Sequence, residues 1–272
     1  MNLYGFVLGT NHSLCKVEIC SVLEQNKIDF KIIAASEEIL IIEAEKVPEI
    51  NAFGSTAKLV KFYKDLNEIV CEIPSKSKSV TYGVSVYNGG GKFKQLNQLW
   101  YEAPRIAREV RDIMREYRIK GGFLPLKDRF LSTVSVNENL LKEDGFELVL
   151  ASGKDQTFIG KTMEVQHYEE YSKRDYGRPE RDDKSGMIPP KIAKMMINLA
   201  KIPKETTILD PFCGSGTFLQ EEILLGFENV AGSDLDIKAV EKSKRNLEWQ
   251  FGDKKINIRS IDALQLSKYY KE

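Results

Sequence analysis

Asp210-Pro-Phe-Cys-Gly-Ser-Gly-Thr217 is the stretch whose reading decides the fold. An apolar run, Thr207-Ile208-Leu209, leads into Asp210, and a turn punctuated by Gly214 and Gly216 gives way to a helical pattern from Thr217 to Leu225. Strand, tight loop and helix in that order place the loop at the carboxyl end of a buried strand, where open α/β sheets bind nucleotides. The glycines let the backbone approach a ligand, and the helix N-terminus offers unpaired N–H groups to an anion. The dinucleotide fingerprint is not met. Gly214-Ser215-Gly216-Thr217-Phe218-Leu219 supplies G-x-G, but Leu219 stands where a third Gly or Ala belongs. Asp210 opens the loop instead, and a carboxylate there accepts from an ammonium or hydroxyl while repelling a pyrophosphate. That favours S-adenosyl-L-methionine, whose amino-acid end carries an ammonium and a carboxylate. Taken alone, the same residues also fit a plain strand-to-helix turn capped by Asp210.

The neighbouring segments extend the pattern. Val230-Ala231-Gly232-Ser233-Asp234 reads as a second strand ending in an acid, followed by a helix from Ile237 to about Gln250. Asp234 lies 18 residues beyond Gly216, close to the roughly 20-residue spacing at which a carboxylate meets ribose hydroxyls. A third strand, Ile256 to Ile261, ends at Asp262-Ala263, where an acid can accept from an adenine amino group. Three successive strands ending at Asp210, Asp234 and Asp262 describe the first half of a Rossmann-like, doubly wound sheet. The expected cofactor contacts are Asp210, Pro211, Phe212, Cys213, Gly214, Ser215, Gly216, Asp234, Leu235, Asp262 and Ala263. Cys213 reads as a small residue packed under the loop, since no nearby histidine or second cysteine supports a nucleophile.

With Tyr171-Ser-Lys-Arg-Asp-Tyr-Gly-Arg-Pro-Glu-Arg-Asp-Asp-Lys-Ser-Gly-Met-Ile-Pro-Pro-Lys-Ile-Ala193 leading into that loop, the sequence resembles the tRNA guanosine-10 N2-methyltransferases, which carry an N-terminal THUMP module. The resemblance is most specific over residues 171–263 and rests further forward on Phe53-Gly-Ser-Thr-Ala-Lys58. It implies that the G-x-x-x-P-K-x-A segment, Gly186 to Ala193, sits beside the cofactor, which adds Gly186 and Met187 to the contacts. One departure concerns catalysis. Methyltransferases of this type carry a D/N-P-P-Y/F tetrapeptide at the end of the fourth strand, and no such tetrapeptide occurs here; Pro189-Pro190 follows Ile188. No catalytic residue is therefore expected among the 272. The chain looks like a family member truncated before its transfer loop, alone inactive, with a second chain as one way to supply the missing half of the sheet.

Composition sets the class without choosing a partner. The 272 residues are 42% hydrophobic and 29% charged, with 40 basic and 40 acidic side chains, an ordinary globular balance. No run approaches the ~18 apolar residues of a membrane span, and the N-terminus lacks a basic-then-apolar signal pattern. Cys15, Cys20, Cys71 and Cys213 are scattered, and His12 and His167 lie far apart. No metal site is expected, and the thiols suit a reducing, cytoplasmic setting.

Alternation and spacing suggest an α+β front half in two parts, a ferredoxin-like unit over 1–75 and a THUMP-like RNA-binding unit over 76–169. A linker contacting the cofactor site follows over 170–188, then a partial class I methyltransferase domain over 189–272. Helices are expected from Ser13 to Asn26, around Val47 to Ala52, and from about Gln95 to Arg118. Strands are expected at Tyr4 to Leu8, Phe30 to Ala34, Ile39 to Ala44, Leu59 to Tyr63, Thr81 to Tyr87, Thr133 to Val136, Phe146 to Ser152 and Glu164 to Tyr168, with a turn at Gly121-Gly122. On the long helix, Arg105, Arg108, Arg111, Arg115 and Arg118 fall on an arc beside the apolar one. Residues 92–129 hold ten basic and five acidic side chains. Arginine forks suit phosphate oxygens, whereas Glu109, Asp112 and Glu116 offer the alternative of a solvated, self-paired face. Phe123, Phe130 and Tyr168 are candidates for base stacking or for the core. The expected function is S-adenosylmethionine-dependent methyl transfer to N2 of a guanine in tRNA or other structured RNA. Alternatives are a ribosomal RNA guanine-N2 methyltransferase, and a non-catalytic RNA-binding chain that has lost the transfer loop.

Overall fold

The computed structural model describes residues 1–272 except 75–76, 126, 182–185 and 271–272. The chain divides into two compact units: Met1–Asn51 with Ser55–Gln166, and Ala52–Gly54 with His167–Glu272. The boundary expected between 75 and 76 falls outside the described residues.

In the first unit, β1 (Asn2–Leu8), α1 (His12–Gln25), β2 (Phe30–Ala35), β3 (Ile39–Ala44) and β4 (Thr56–Tyr63) come first, followed by α2 (Leu66–Cys71), β5 (Ser79–Asn88) and α3 (Phe93–Glu116). β6 (Lys120–Phe123), α4 (Thr133–Asn139), β7 (Phe146–Ser152) and β8 (Thr157–Val165) complete it. All eight strands form one sheet in the order β2-β3-β1-β4-β8-β7-β5-β6, so the sheet runs on through both segments expected as separate. β4 pairs β8 antiparallel across that join, with Lys61 opposite Lys161, whereas β5 runs parallel to both β6 and β7. The apolar arc of α3, with Leu96, Leu99, Ala103, Ile106, Ala107, Val110 and Met114 buried, packs with Val80, Tyr82, Val84 and Val86 of β5. Tyr117 is half exposed beyond the helix end.

Several local expectations change. Thr133 to Val136 is helical, because Ser132 caps the turn through the Ser135 N–H (3.1 Å) and overrides the β-branched alternation. Gly121-Gly122 lies within β6 and is not a turn. The helix expected near Val47 shrinks to a 3-10 turn at Ile50–Ala52, consistent with Pro48, which cannot donate inside a helix. Asn11 caps α1, which starts at His12, and Cys15, Ile19, Val22 and Leu23 face inward while Val17 faces solvent.

The second unit begins with α5 (Tyr168–Tyr176), where a linker and the end of a strand were expected. Tyr171, Arg174 and Arg178, spaced by three and four, are all buried and explain why this polar stretch is ordered. α6 (Pro190–Ala200), β9 (Ile208–Asp210), α7 (Thr217–Leu224), β10 (Val230–Asp234), α8 (Ile237–Phe251) and β11 (Asn257–Ser260) follow. Pro190 opens α6 at its first turn, where no N–H is required. The three strands are parallel in the order β11-β10-β9, with Gly232 opposite Asp210 and Asp234 opposite Ser260. Among the described residues β9 has a strand neighbour on one side only. Its core gathers Ile197, Cys213, Leu219, Phe227, Val230, Val240, Leu247 and Ile258.

Candidate functional site

Parallel strands bring their carboxyl ends to one edge, and Asp210, Asp234 and Asp262 stand there at the ends of β9, β10 and β11. Asp210 accepts from the Phe212 N–H at 3.0 Å, which folds Pro211 and Phe212 back over the strand end. Asp234 joins the strands electrostatically, accepting from the Gly214 N–H and the Asp236 N–H, each at 3.0 Å. Asp262 accepts from the Leu264 N–H at 3.0 Å and so starts the 3-10 turn that begins at Ala263. The Ser260 hydroxyl donates to the Leu235 carbonyl at 3.2 Å, tying β11 to the turn after β10.

The loop between β9 and α7 is held open from below. The Cys213 N–H donates to the Ser233 carbonyl (2.8 Å), and the Gly216 N–H to the Cys213 carbonyl (2.7 Å). Gly214 and Gly216 both take positive φ, +51° and +85°. A methyl group on Gly216 would stand 2.5 Å from Ser243 Oγ, whereas one on Gly214 would meet nothing within 4 Å. The first glycine therefore answers to backbone conformation alone, and the second also to packing. Open space at Gly214, the N-terminus of α7 and paired carboxylates suit a ligand with both anionic and cationic ends. Phe212 and Leu235, each 73% exposed, offer apolar surface in the turns after β9 and β10.

Burial and charge tune the edge. Burial raises the Asp210 carboxyl, Asp234 raises it further, and the Phe212 N–H pulls it down. Burial, with Asp210 and Asp234 adding, pushes the Cys213 thiol up to about 12, so it stays protonated and packs as a small apolar group. Glu222 on α7 is raised to about 8, chiefly by burial and then by Asp210.

Gly186 and Met187 precede α6, with Gly186 exposed at φ +79°. Sequence reasoning missed a group of buried charges in this unit. Arg174 Nε donates to Glu221 Oε1 (2.7 Å), and Lys194 Nζ lies 3.5 Å from Glu221 Oε2. Arg178 reaches Thr217 Oγ1 at 2.9 Å. The signal available was the three- and four-residue spacing of Tyr171, Arg174 and Arg178.

The arginine face lies in the first unit. Arg105, Arg108 and Arg115 are exposed on α3. Arg105 pairs with Glu102 (3.8 Å) and Glu109 (3.6 Å), and Arg115 with Asp112 (3.0 Å). Arg108 makes no ion pair among the described residues. Arg111 is half-buried, with its Nε sealed and lacking an acceptor among them. Arg118 is exposed but lies past the helix end with φ +59°, so it does not continue the helical arc. Two of the candidate aromatics are engaged: Phe130 stacks on Tyr87 (5.4 Å, 8°), and Phe123 tilts against Tyr82 (5.3 Å). No helix among the described residues is long and apolar enough to cross a membrane.

Comparison with known proteins adds a match over the second unit. Residues 178–272 match the RMKL-like methyltransferase domain family (UPF0020). A tRNA (guanine(10)-N2)-dimethyltransferase of Methanocaldococcus jannaschii is 32% identical over 167 residues, which are 59% of this chain and 42% of that protein. The protein of the same description from Methanothermobacter thermautotrophicus is 38% identical over 81 residues, covering 30% and 24% respectively. The chain thus spans less than half the length of these two relatives. Among solved structures, that of TrmN from Thermus thermophilus is similar in fold, with a TM-score of 0.54 at 16% identity over 99% of this chain and 76% of that one.

Proposed function

We propose that this chain, whose residues 178–272 form an RMKL-like methyltransferase domain, belongs to an enzyme that transfers a methyl group from S-adenosyl-L-methionine to N2 of a guanine in tRNA. The observation that carries the cofactor is the set of three carboxylates at the ends of β9, β10 and β11 around an open glycine loop. Asp234 is assigned to the ribose hydroxyls and Asp262 to the adenine amino group. Asp210 and the N-terminus of α7 are assigned to the amino-acid end. Pro211, Phe212, Cys213, Ser215, Leu235, Ala263, Gly186 and Met187 complete the walls. The substrate reading rests on the two archaeal relatives.

When bound, the cofactor supplies an electrophilic methyl group. The chain's part is to hold it so that an amine nitrogen approaches in line, an alignment that replaces the entropy cost of a bimolecular encounter. The guanine N2 lone pair is delocalised into the ring, so transfer also needs acceptors for the amino hydrogens. No D/N-P-P-Y/F tetrapeptide is present in the 272 residues, and no residue of this chain is assigned to that step. The first unit is read as the THUMP-like, RNA-capturing part, with Arg105, Arg108, Arg111, Arg115 and Arg118 as phosphate contacts. Exposed Arg108 and Arg118 are its least self-paired members.

Two measurements test the reading. Calorimetry should show S-adenosylhomocysteine binding to the 272-residue chain, and its absence would remove the cofactor assignment. Nucleoside mass spectrometry of tRNA from cells lacking the gene should show loss of N2-methylated guanosine, restored on re-expression; an unchanged nucleoside profile would remove the substrate.

A further inference from the structure

Arg178 is 3% exposed, in a stretch whose composition is that of a polar linker. Its Nε donates to the Arg174 carbonyl at 2.6 Å, which fixes the head against the end of α5. Nη1 donates to Thr217 Oγ1 at 2.9 Å and to Ser215 Oγ at 3.4 Å, the two hydroxyls that flank Gly216. Nη2 is sealed from solvent and has no acceptor among the described residues. Burial pushes the guanidinium below its ordinary value, opposed by Asp175 and Glu221.

The same loop is held from the other side by Asn246 of α8, which is fully buried. Its Nδ2 donates to the Ser215 and Glu180 carbonyls, each at 2.9 Å, and its Oδ1 accepts from the Glu180 N–H at 2.9 Å. Residues 178 and 180 are therefore both stitched to the glycine loop.

A buried cation with a donor left over is a poor device for stability alone. Here α7 starts at Gly216 without any side-chain cap. Glycine has no side chain to cap with, and the flanking hydroxyls accept from Arg178, so the amino end of α7 carries no side-chain cap beside the carboxylate edge.

We propose that Arg178 is a positioning residue of the cofactor site: by holding the Ser215 and Thr217 hydroxyls it sets the turn at Gly216 and reserves the first N–H groups of α7 for the carboxylate at the amino-acid end of the cofactor. This rests on the reading of the loop as an S-adenosylmethionine site. Arg178 acts through the loop and touches no reacting atom.

The test uses two ligands that differ at that end. S-adenosylhomocysteine carries the carboxylate, and methylthioadenosine lacks the amino-acid moiety. Calorimetry on the 272-residue chain should show Arg178→Gln weakening S-adenosylhomocysteine roughly ten- to a hundredfold, as for loss of a charge-assisted hydrogen bond, with methylthioadenosine changed by less than about twofold. Arg178→Lys should fall between. Thr217→Val, which removes one acceptor, should repeat the selective loss, so the outcome does not depend on Arg178→Gln folding. Equal weakening of both ligands would make Arg178 a brace of the fold, and no weakening of either would remove any role; each overturns the proposal. If the unaltered chain binds neither ligand, the cofactor reading beneath it fails first.

Discussion

Two buried polar clusters, one in each unit, are paired to different extents. In the eight-stranded sheet, Lys58 and Glu147 are 2% and 0% exposed, form an ion pair and are saturated by their surroundings. Lys58 Nζ also donates to the Leu131 carbonyl, and Glu147 accepts from the hydroxyls of Ser85 and Thr162. In the second unit, Arg178 Nη2, Glu222 Oε2 and Gln220 Oε1 are buried with no hydrogen-bond partner among the described residues. A saturated pair fixes register and needs nothing further. An unsaturated set beside an open loop gives up stability, as expected where a loop serves a ligand.

The largest effect should come from breaking the saturated pair. Glu147→Ala strands the Lys58 ammonium and two hydroxyls, and urea unfolding should show a loss of about 3–5 kcal/mol. Lys58→Met with Glu147→Leu should recover only part of this, because Ser85, Thr162 and the Leu131 carbonyl still lose partners. A loss below about 1 kcal/mol for the single change would erase the contrast between the units.

Next in size is the pH response of the second unit. Glu222 titrates at about 8 in the folded chain against an ordinary 4.5. Between those values the folded state binds more protons than the unfolded one, so stability should fall as pH rises and level off above about 8. Glu222→Gln should flatten that slope in urea midpoints taken across the range. A slope that survives the substitution would have to come from another group.

Asp234→Ala should weaken S-adenosylhomocysteine by about 1–3 kcal/mol, as for loss of a charged acceptor. Part of the loss would come through the Gly214 N–H that the carboxylate holds. The smallest stability change should come from Arg108, Arg111 and Arg115 replaced together by Gln. The exposed Arg115–Asp112 pair is worth about 0–1 kcal/mol, so unfolding should barely move. RNA binding should nonetheless lose about 0.9 from its salt slope for each duplex phosphate contact removed. An unchanged slope would return α3 to a solvated, self-paired face.

What was legible in the sequence was strongest where backbone demands are strict. The loop from Asp210 to Thr217, the acids closing β10 and β11, and the apolar arc of α3 all follow from glycine conformation and periodicity. α4 was misread because Thr133 to Val136 alternates like a strand, and one serine cap outweighs that pattern over so short a span. α5 was hidden because its inward face is Tyr171, Arg174 and, just beyond it, Arg178, and a rule that looks for apolar residues does not count arginine as core. The join between β4 and β8 was illegible for another reason: nothing local in either strand states its partner.

That join has a consequence for synthesis. β4, residues Thr56–Tyr63, finds its second neighbour only in β8, Thr157–Val165, about a hundred residues later in the chain. A nascent chain can assemble β1, β3 and β4 early, yet β4 must wait with its outer backbone groups unpaired until β8 leaves the ribosome. Closing so long a loop is slow, and an unpaired strand edge is a template for association with other chains. β10 and β11, by contrast, each add beside the strand made just before them. The interval during which β4 waits is therefore where this protein should be most exposed to misassembly and most dependent on chaperones.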